Sequence, residues 1–246
     1  MPLSSQMEKQ GQWLFKYRGI LPLIIFIAAI AMYIRNEASP LQWELEGTRY
    51  ELLYETFCLF VSLFGLYIRI YTVGYSASNT SGRNTERQVA DVLNTEGIYS
   101  TVRNPLYLGN FFMWLGIAML TGNYWFTIIF VLIYVLYYER IIYTEEQFLI
   151  KKFGQHYINW ANKTPIIIPD LSKFRKNSYA FSWKKVLRQE KNGLAALFLI
   201  FCFFDIIGEL VKPVKDYNEV LLVMGALSVL TYGVLKYLKY NTGVLR

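Results

Sequence analysis

Residues 104–138 read NPLYLGNFFMWLGIAMLTGNYWFTIIFVLIYVLYY and contain no charged side chain. A membrane-spanning helix needs about 20 mostly apolar residues, so this stretch is long enough for two short membrane helices. Thr121, Gly122 and Asn123 interrupt it near the middle, and small or polar residues of this kind favour a tight turn. The stretch therefore predicts a helical hairpin in a membrane, with both outer ends on the same side.

Four further apolar runs flank the hairpin, at residues 19–34, 52–73, 193–211 and 220–235. The first run follows a basic segment, but no small-residue cleavage signal precedes Asn36, which favours an uncleaved span over a signal peptide. Together the runs predict an all-α, polytopic integral membrane protein with about six transmembrane helices. We divide the chain into residues 1–83 with two spans, residues 84–170 with the hairpin, and residues 171–246 with a basic linker and two spans.

The composition excludes several other classes of protein. The chain is 54% hydrophobic and 17% charged, with a net charge of +7, whereas soluble domains carry about 25% charged residues. It is therefore not expected to be a soluble enzyme, a disordered chain or a coiled coil. Two cysteines are too few for a disulfide scaffold. A membrane surface accounts for both the apolar composition and the positive charge, so a lipid is the expected partner and nucleic acid is not.

The distribution of basic residues predicts the orientation. With six spans and a cytosolic N-terminus, 20 of the 25 Lys and Arg residues fall in cytosolic segments and 4 fall in outer loops. Cytosolic loops of membrane proteins carry such an excess. The chain is therefore expected in the cell or inner membrane, or in the endoplasmic reticulum, with both termini and the chemistry on the cytosolic side.

Two cytosolic stretches next to the hairpin carry the candidate chemistry. In residues 95–110, Asn104 and Pro105 form a typical helix start. In residues 144–160, apolar side chains recur at helical spacing, which predicts an amphipathic helix along the membrane surface. Because the hairpin returns both ends to one side, Arg103 should lie near Arg140, Glu145 and Glu146. A charge cluster that merely anchors the hairpin would fit the same pattern.

The spacing of these residues resembles a known family. The pattern G-x-Y-x-x-x-R-N-P-x-Y-x-G, a hairpin of about 40 residues, then E-E-x-x-L-x-x-x-F-G-x-x-Y and a later proline are similar to the isoprenylcysteine carboxyl methyltransferase and phospholipid methyltransferase family. The resemblance covers residues 91–169. The matching residues are Gly97, Tyr99, Arg103, Asn104, Pro105, Tyr107, Gly109, Glu145, Glu146, Leu149, Phe153, Gly154 and Tyr157, with Pro165 or Pro169.

The resemblance implies an integral-membrane methyltransferase that uses S-adenosylmethionine and lacks a Rossmann domain. The implied cofactor-binding residues are Val92, Leu93, Tyr99, Asn104, Pro105, Leu106, Tyr107 and Glu145. Arg103, Arg140 and Glu146 would lie closer to the methyl acceptor. The family commonly has histidine where this chain has Asn104, and asparagine cannot act as a base near neutral pH. Without His or Cys clusters, no metal site is expected.

Three functions remain open from the sequence. The first is methyl transfer to a lipid-borne acceptor, which could be a prenylcysteine carboxylate, a lipid phosphate such as that of lipid A, or an amine head group. The second is an NADPH-dependent sterol-type reductase, which Asn110 disfavours because that class commonly has an acidic residue there. The third is a non-catalytic membrane protein on the same scaffold. Asp205 and Glu209, one turn apart, are candidates for a substrate or packing role or for the outer interface, and an ion pair with Arg69 is not expected.

Overall fold

The computed structural model describes residues 1–38, 49–77, 80, 88–212 and 215–245. Within these ranges the chain is helical, and the one β-type pairing is an isolated bridge between Gly97 and Arg175. The all-α prediction is therefore confirmed. Arg83, Arg87 and Arg246, which contribute to the predicted charge asymmetry, lie outside the described residues. The helices are α1 Leu3–Lys16, α2 Leu21–Glu37, α3 Arg49–Tyr75, α4 Pro105–Leu120, α5 Tyr124–Phe153, α6 Gln155–Ala161, α7 Trp183–Val211 and α8 Glu219–Asn241.

All six predicted apolar runs form helices, but the count of six spans is not confirmed. Four described helices, α3, α5, α7 and α8, are long and apolar enough to cross a membrane. Helix α4 has 16 residues and α2 has 17. At 1.5 Å per residue, each is about 25 Å long, which is less than the hydrocarbon thickness of about 30 Å.

The predicted hairpin is present and consists of α4 and α5. Gly122 has a φ of 67°, a left-handed conformation that glycine adopts without strain. Asn123 caps α5, since its side chain accepts a hydrogen bond from the Phe126 N–H at 2.9 Å. Pro105 occupies the first turn of α4 as predicted, but the Asn104 side chain does not cap the helix. It donates instead to the carbonyl of Ile166 at 3.1 Å.

Helix α4 packs closely along α3 through small residues. A Cβ at Gly109 would lie 2.8 Å from the carbonyl oxygen of Gly65, and a Cβ at Gly116 would collide with the Ser62 hydroxyl. Ser62 also donates to the carbonyl of Met113 at 2.8 Å. The close approach predicted from Gly109 and Gly116 is thus made by a neighbouring helix. Such small-residue contacts are common between membrane helices.

Two elements flank the hairpin from outside it. Helix α7 packs against α2, α3 and α8, and its buried Phe201 and Phe204 belong to the main apolar core. Helix α1, which was not predicted from the sequence, packs against the C-terminal part of α5. There Thr144 donates to the carbonyl of Glu8 at 3.3 Å. Helix α1 therefore reaches the end of the hairpin that carries the motif residues, and the start of α7 reaches it through Glu190.

The prediction of one amphipathic helix over residues 144–160, continuing from the fourth span, is not confirmed. Helix α5 continues without interruption to Phe153, and a separate short helix, α6, follows Gly154. Gly154 has a φ of 55°, and a glycine in the left-handed region is a common helix terminator. Tyr157 and Trp160 are nonetheless buried, because the turn at Gly154 folds α6 back towards the motif segment.

Asp205 and Glu209 lie at the end of α7 far from the motif residues. Glu209 pairs with Lys212 at 3.2 Å, and Lys212 also pairs with Glu37 and Glu51, each at 3.1 Å. These carboxylates raise the pKa of Lys212 above its ordinary value, against the opposing effect of burial. Asp205 accepts the N–H of Asn218 at 3.3 Å. As predicted, neither acid pairs with Arg69, which bonds to Glu190 instead.

Candidate functional site

A cavity of about 420 Å³ lies at the end of the hairpin that carries the motif. Its walls come from the end of α1 and the α1–α2 turn, α3, residues 88–90, the segment before α4, the first turns of α4, α5 and the start of α7. Most of the residues proposed from the resemblance line it, namely Tyr99, Arg103, Asn104, Pro105, Leu106, Tyr107 and Glu145. Residues far apart in the sequence therefore converge on one polar and aromatic space.

Backbone pairing with residues 165–175 fixes the segment that leads into α4. The Gly97 N–H donates to the carbonyl of Arg175 at 2.8 Å, and the Arg103 N–H donates to the carbonyl of Pro165 at 2.8 Å. Gly97 has a φ of 60°, and a Cβ there would collide with Asn177. The glycine and the later proline of the motif thus hold Tyr99 and Arg103 at the cavity wall.

Arg103 forms a short ion pair at the edge of the cavity. Its Nη1 lies 2.6 Å from Oε1 of Glu146, and the two side chains are 14% and 22% exposed. Glu146 itself does not line the cavity. The buried Nε of Arg103 has no hydrogen-bond partner among the described residues. Burial and Glu146 raise the pKa of the neighbouring Tyr157, so its hydroxyl stays protonated near neutral pH.

Glu145 faces the cavity and has two partners. The Tyr107 hydroxyl donates to its Oε1 at 2.8 Å, and Nη1 of Arg18 lies 3.5 Å from the same oxygen. The Arg18 guanidinium sits 3.9 Å from the centroid of the Phe15 ring, a cation–π arrangement. Burial and the Glu145 charge also raise the pKa of Tyr99, so Tyr99 is not an ionised base near neutral pH.

Arg69 and Glu190 form another ion pair, which has shorter contacts than the pair of Arg18 and Glu145. Both residues line another part of the cavity, and neither was predicted from the sequence to belong to the site. Arg69 donates from Nε and Nη2 to the two carboxylate oxygens of Glu190, at 2.8 and 2.7 Å. Its Nη1 donates to Oδ1 of Asn110 at 2.6 Å. A charge inside an apolar run is a functional candidate in itself, and this signal could have identified Arg69. Glu190 precedes its apolar run, so the sequence carried no comparable signal for it.

Besides Glu146, three of the proposed residues do not line the main cavity. Arg140 pairs with the adjacent Glu139 at 2.8 Å and does not line the cavity. Val92 is 46% exposed, and Leu93 lines a separate cavity of about 130 Å³. Val89 and Ala90 contribute to the main cavity in their place. The segment before Gly97 is a loop with no helical period, so the sequence pattern does not fix which of its side chains face the main cavity.

The side chains that line the main cavity are mainly charged and aromatic. Among the residues that the structure describes, no three His, Cys, Asp or Glu side chains are placed to hold a metal ion. The cavity instead combines paired carboxylates and guanidinium groups with several aromatic side chains, among them Phe15, Tyr99, Tyr107 and Tyr138. Such a lining suits a charged organic ligand that also has an aromatic or aliphatic part.

The fold and the cavity define a class, a helical membrane protein with a polar site at the end of a transmembrane hairpin. Residues 57–156 match the family model described as phospholipid methyltransferase. The chain is 37% identical over 123 residues to a protein-S-isoprenylcysteine O-methyltransferase of Schizosaccharomyces pombe, covering 48% of this chain and 50% of that protein. These matches confirm that the chain resembles the isoprenylcysteine carboxyl methyltransferase and phospholipid methyltransferase family.

The names of two further relatives describe different functions. A protein-S-isoprenylcysteine O-methyltransferase of Saccharomyces cerevisiae is 35% identical over 115 residues, which cover 46% of this chain and 47% of that protein. The cobalt-zinc-cadmium resistance protein CzcN of Cupriavidus metallidurans is 34% identical over 122 residues, or 49% of this chain and 54% of that protein. The chain thus spans about half the length of the curated relatives it matches. No solved structure matches it.

Proposed function

We propose that this chain is an integral-membrane methyltransferase that moves a methyl group from S-adenosylmethionine to an anionic group of a membrane-embedded lipid or prenylated substrate. The acceptor is a carboxylate or a lipid phosphate, such as that of lipid A, and the reaction takes place at the cytosolic face. The observation that carries the proposal is the convergence of both motif halves, through Arg103, Tyr107 and Glu145, on one cavity. This occurs within the segment that matches the methyltransferase family.

The lining of the cavity fits S-adenosylmethionine. Its volume of about 420 Å³ falls within the range of about 300–1,000 Å³ for ligand sites. Aromatic faces such as Tyr99 and Tyr107 suit a positively charged sulfur and a planar base. Glu145 is an acceptor for an ammonium or for sugar hydroxyls, and Arg18 is a donor for a carboxylate. The cavity thus offers partners for the ammonium and the carboxylate of the cofactor, and for its planar base and its sulfur.

The proposed chemistry requires little from the protein beyond position and charge. When bound, the cofactor supplies a methyl group on a positively charged sulfur, and the acceptor oxygen forms the new bond to carbon while the electron pair of the broken carbon–sulfur bond stays on sulfur. A carboxylate or phosphate oxygen is already a nucleophile, so no general base is needed. This agrees with Asn104, which cannot titrate, and with Tyr99, whose raised pKa keeps it protonated.

Arg103 has the chemistry to hold the acceptor. Its guanidinium lines the cavity, and its planar fork matches a carboxylate or phosphate. Glu146 lies 2.6 Å from one of its nitrogens and limits the rotamers that the side chain can adopt. In a site partly closed to water, a fixed cation of this kind stabilises an oxygen anion more strongly than it would in water.

Ligand binding by the purified protein tests the proposal. Labelled S-adenosylmethionine should bind saturably in detergent or nanodiscs, and NADPH should not compete with it. Membranes incubated with methyl-labelled cofactor should then yield a labelled lipid or prenylated product that base or acid treatment identifies as an ester. Binding of NADPH would instead support a sterol-type reductase. Failure to bind either ligand would support a non-catalytic protein.

Cysteine labelling tests the proposed cytosolic face. In a chain whose Cys58 and Cys202 are replaced by alanine, a membrane-impermeant reagent added to intact cells should label an Asn123→Cys variant in the hairpin turn. It should not label a Lys176→Cys variant near the motif segment. Labelling at position 176 in intact cells would contradict the orientation while leaving the proposed reaction untouched.

A further inference from the structure

Arg18 reaches the cavity from a part of the chain outside the matched family segment. It lies in the short connection between α1 and α2, whereas the family match begins at residue 57. The preceding residues are held against α5, since Phe15 is 6% exposed and Tyr137 donates to the carbonyl of Leu14 at 3.4 Å. The backbone that carries Arg18 is therefore fixed relative to Glu145.

Arg18 and Glu145 form a loose pair compared with the other ion pair of the cavity. Their nearest atoms are 3.5 Å apart, beyond the 2.7–2.9 Å of a good charge-assisted hydrogen bond. Arg69 and Glu190 are joined by two bonds of 2.8 and 2.7 Å. A ligand that carries both an ammonium and a carboxylate can give each member of this pair a shorter charge-assisted hydrogen bond than the two give each other.

The ligand end that matches such a pair is a zwitterion. An α-amino acid group presents an ammonium beside a carboxylate, and here a carboxylate and a guanidinium lie side by side on the cavity wall. The Tyr107 hydroxyl, 2.8 Å from Glu145, keeps that carboxylate oriented towards the cavity. The Arg18 guanidinium packs on the Phe15 ring, 3.9 Å from its centroid, which places it beside Glu145 at the cavity wall.

We propose that Arg18 and Glu145 form the subsite for the amino-acid end of the cofactor, with Arg18 binding its carboxylate and Glu145 its ammonium. This inference rests on the proposed function, because it assumes S-adenosylmethionine as the ligand. It gives α1 and the α1–α2 turn a role in ligand binding, and it makes Arg18 a cofactor-binding residue that the family motif does not include.

The test compares two ligands that differ only in the carboxylate. Calorimetry on purified protein would measure the Kd of S-adenosylmethionine and of its decarboxylated analogue for the wild type and for Arg18→Ala. Loss of a hydrogen bond to a charged group should weaken S-adenosylmethionine binding about 10-fold to 100-fold. The affinity for the decarboxylated analogue should change less than about 2-fold, so the preference of the wild type for the carboxylate disappears in the variant.

Lys16→Ala is the matched control. Lys16 is an exposed cation two residues away that does not line the cavity, so its removal should leave both affinities unchanged. If Arg18→Ala does not fold, Arg18→Lys serves instead, and the preference for the carboxylate should then fall several-fold, because lysine lacks the planar fork.

Equal losses for both ligands, or no loss for either, would overturn the subsite. In both cases the proposed function would stand as long as the wild type binds S-adenosylmethionine. Failure of the wild type to bind it would overturn the proposed function, and the subsite with it.

Discussion

The two ion pairs of the cavity are built in different ways. Arg69 and Glu190 join α3 to α7 through two short bonds, and Asn110 adds a third bond from α4. Arg18 and Glu145 join the α1–α2 turn to α5 across 3.5 Å. The first pair is a closed network that joins three helices around the site. The second, called the open pair here, has one longer contact, and we propose that it binds the amino-acid end of the cofactor.

The largest expected effect is on stability and comes from the closed pair. Glu190→Ala would leave the guanidinium of Arg69 buried without its carboxylate, and breaking a buried pair costs about 3–5 kcal/mol. Thermal unfolding in detergent should show a clear fall in Tm. Glu139→Ala is the matched control, because its pair with Arg140 is more exposed and should contribute less than about 1 kcal/mol. Equal falls in Tm for the two variants would show that the Arg69–Glu190 pair stabilises the fold no more than the exposed pair does.

The next effect is on turnover and comes from Arg103. Arg103→Lys should lower turnover by roughly 10²-fold or more, the scale for losing one preorganised electrostatic contact. The affinity for S-adenosylmethionine should change much less. Steady-state kinetics together with direct binding separates the two quantities.

Arg140→Lys provides the comparison for that variant. Arg140 pairs with the adjacent Glu139 and does not line the cavity, so its substitution should leave turnover near the wild-type value. Near-normal turnover in Arg103→Lys would mean that Arg103 only anchors the hairpin. A large loss in Arg140→Lys would restore the role that the resemblance assigned to this residue.

The open pair should have a smaller effect that is confined to binding. Glu145→Gln removes the negative charge but can still accept the Tyr107 hydroxyl, so the fold should be kept. S-adenosylmethionine binding should weaken by about 1–3 kcal/mol, typical of a hydrogen bond to a charged group. Equilibrium binding measures this directly. Unchanged affinity in a folded Glu145→Gln protein would exclude this carboxylate from the site, and Glu146→Gln tests its neighbour in the same assay.

Some parts of the site could be predicted from the sequence because they depend on local preferences. Pro105, Gly122 and Asn123 act on their own neighbours, so the hairpin and its boundaries were predictable from local preferences. The convergence of Arg103 and Glu146 followed from the hairpin itself, which returns both ends to one side. These parts depend on short-range geometry, and they coincide with the segment that the family match covers.

The remaining parts depend on long-range packing, which no local pattern reports. Arg18 and Glu190 reach the cavity because α1 packs against α5 and α7 packs against α3, and both α1 and α7 lie outside the family match. Val92 and Leu93 were assigned on a loop where no period fixes the register. The break at Gly154 was hidden because the apolar spacing of Leu149 to Trp160 continues across it. The structure therefore differs most from the sequence-based expectations where a flank meets the hairpin.

The smallest expected effect concerns Asn104, where the family commonly has histidine. If the acceptor is already an anion, the site needs no titrating group at this position, and Asn104→His should change turnover less than a few-fold at pH 8, where the imidazole is neutral. Asn104 donates to Ile166 at a partly exposed position, and a neutral imidazole can donate there as well. Turnover of the wild type should show no change near pH 6.5, the ordinary pKa of histidine, whereas turnover of the variant can change slightly at that pH.

A gain in turnover of 10-fold or more in Asn104→His, lost again below pH 6, would show that a base assists the reaction. The acceptor would then be a group that must lose a proton, such as an amine, rather than a carboxylate or phosphate.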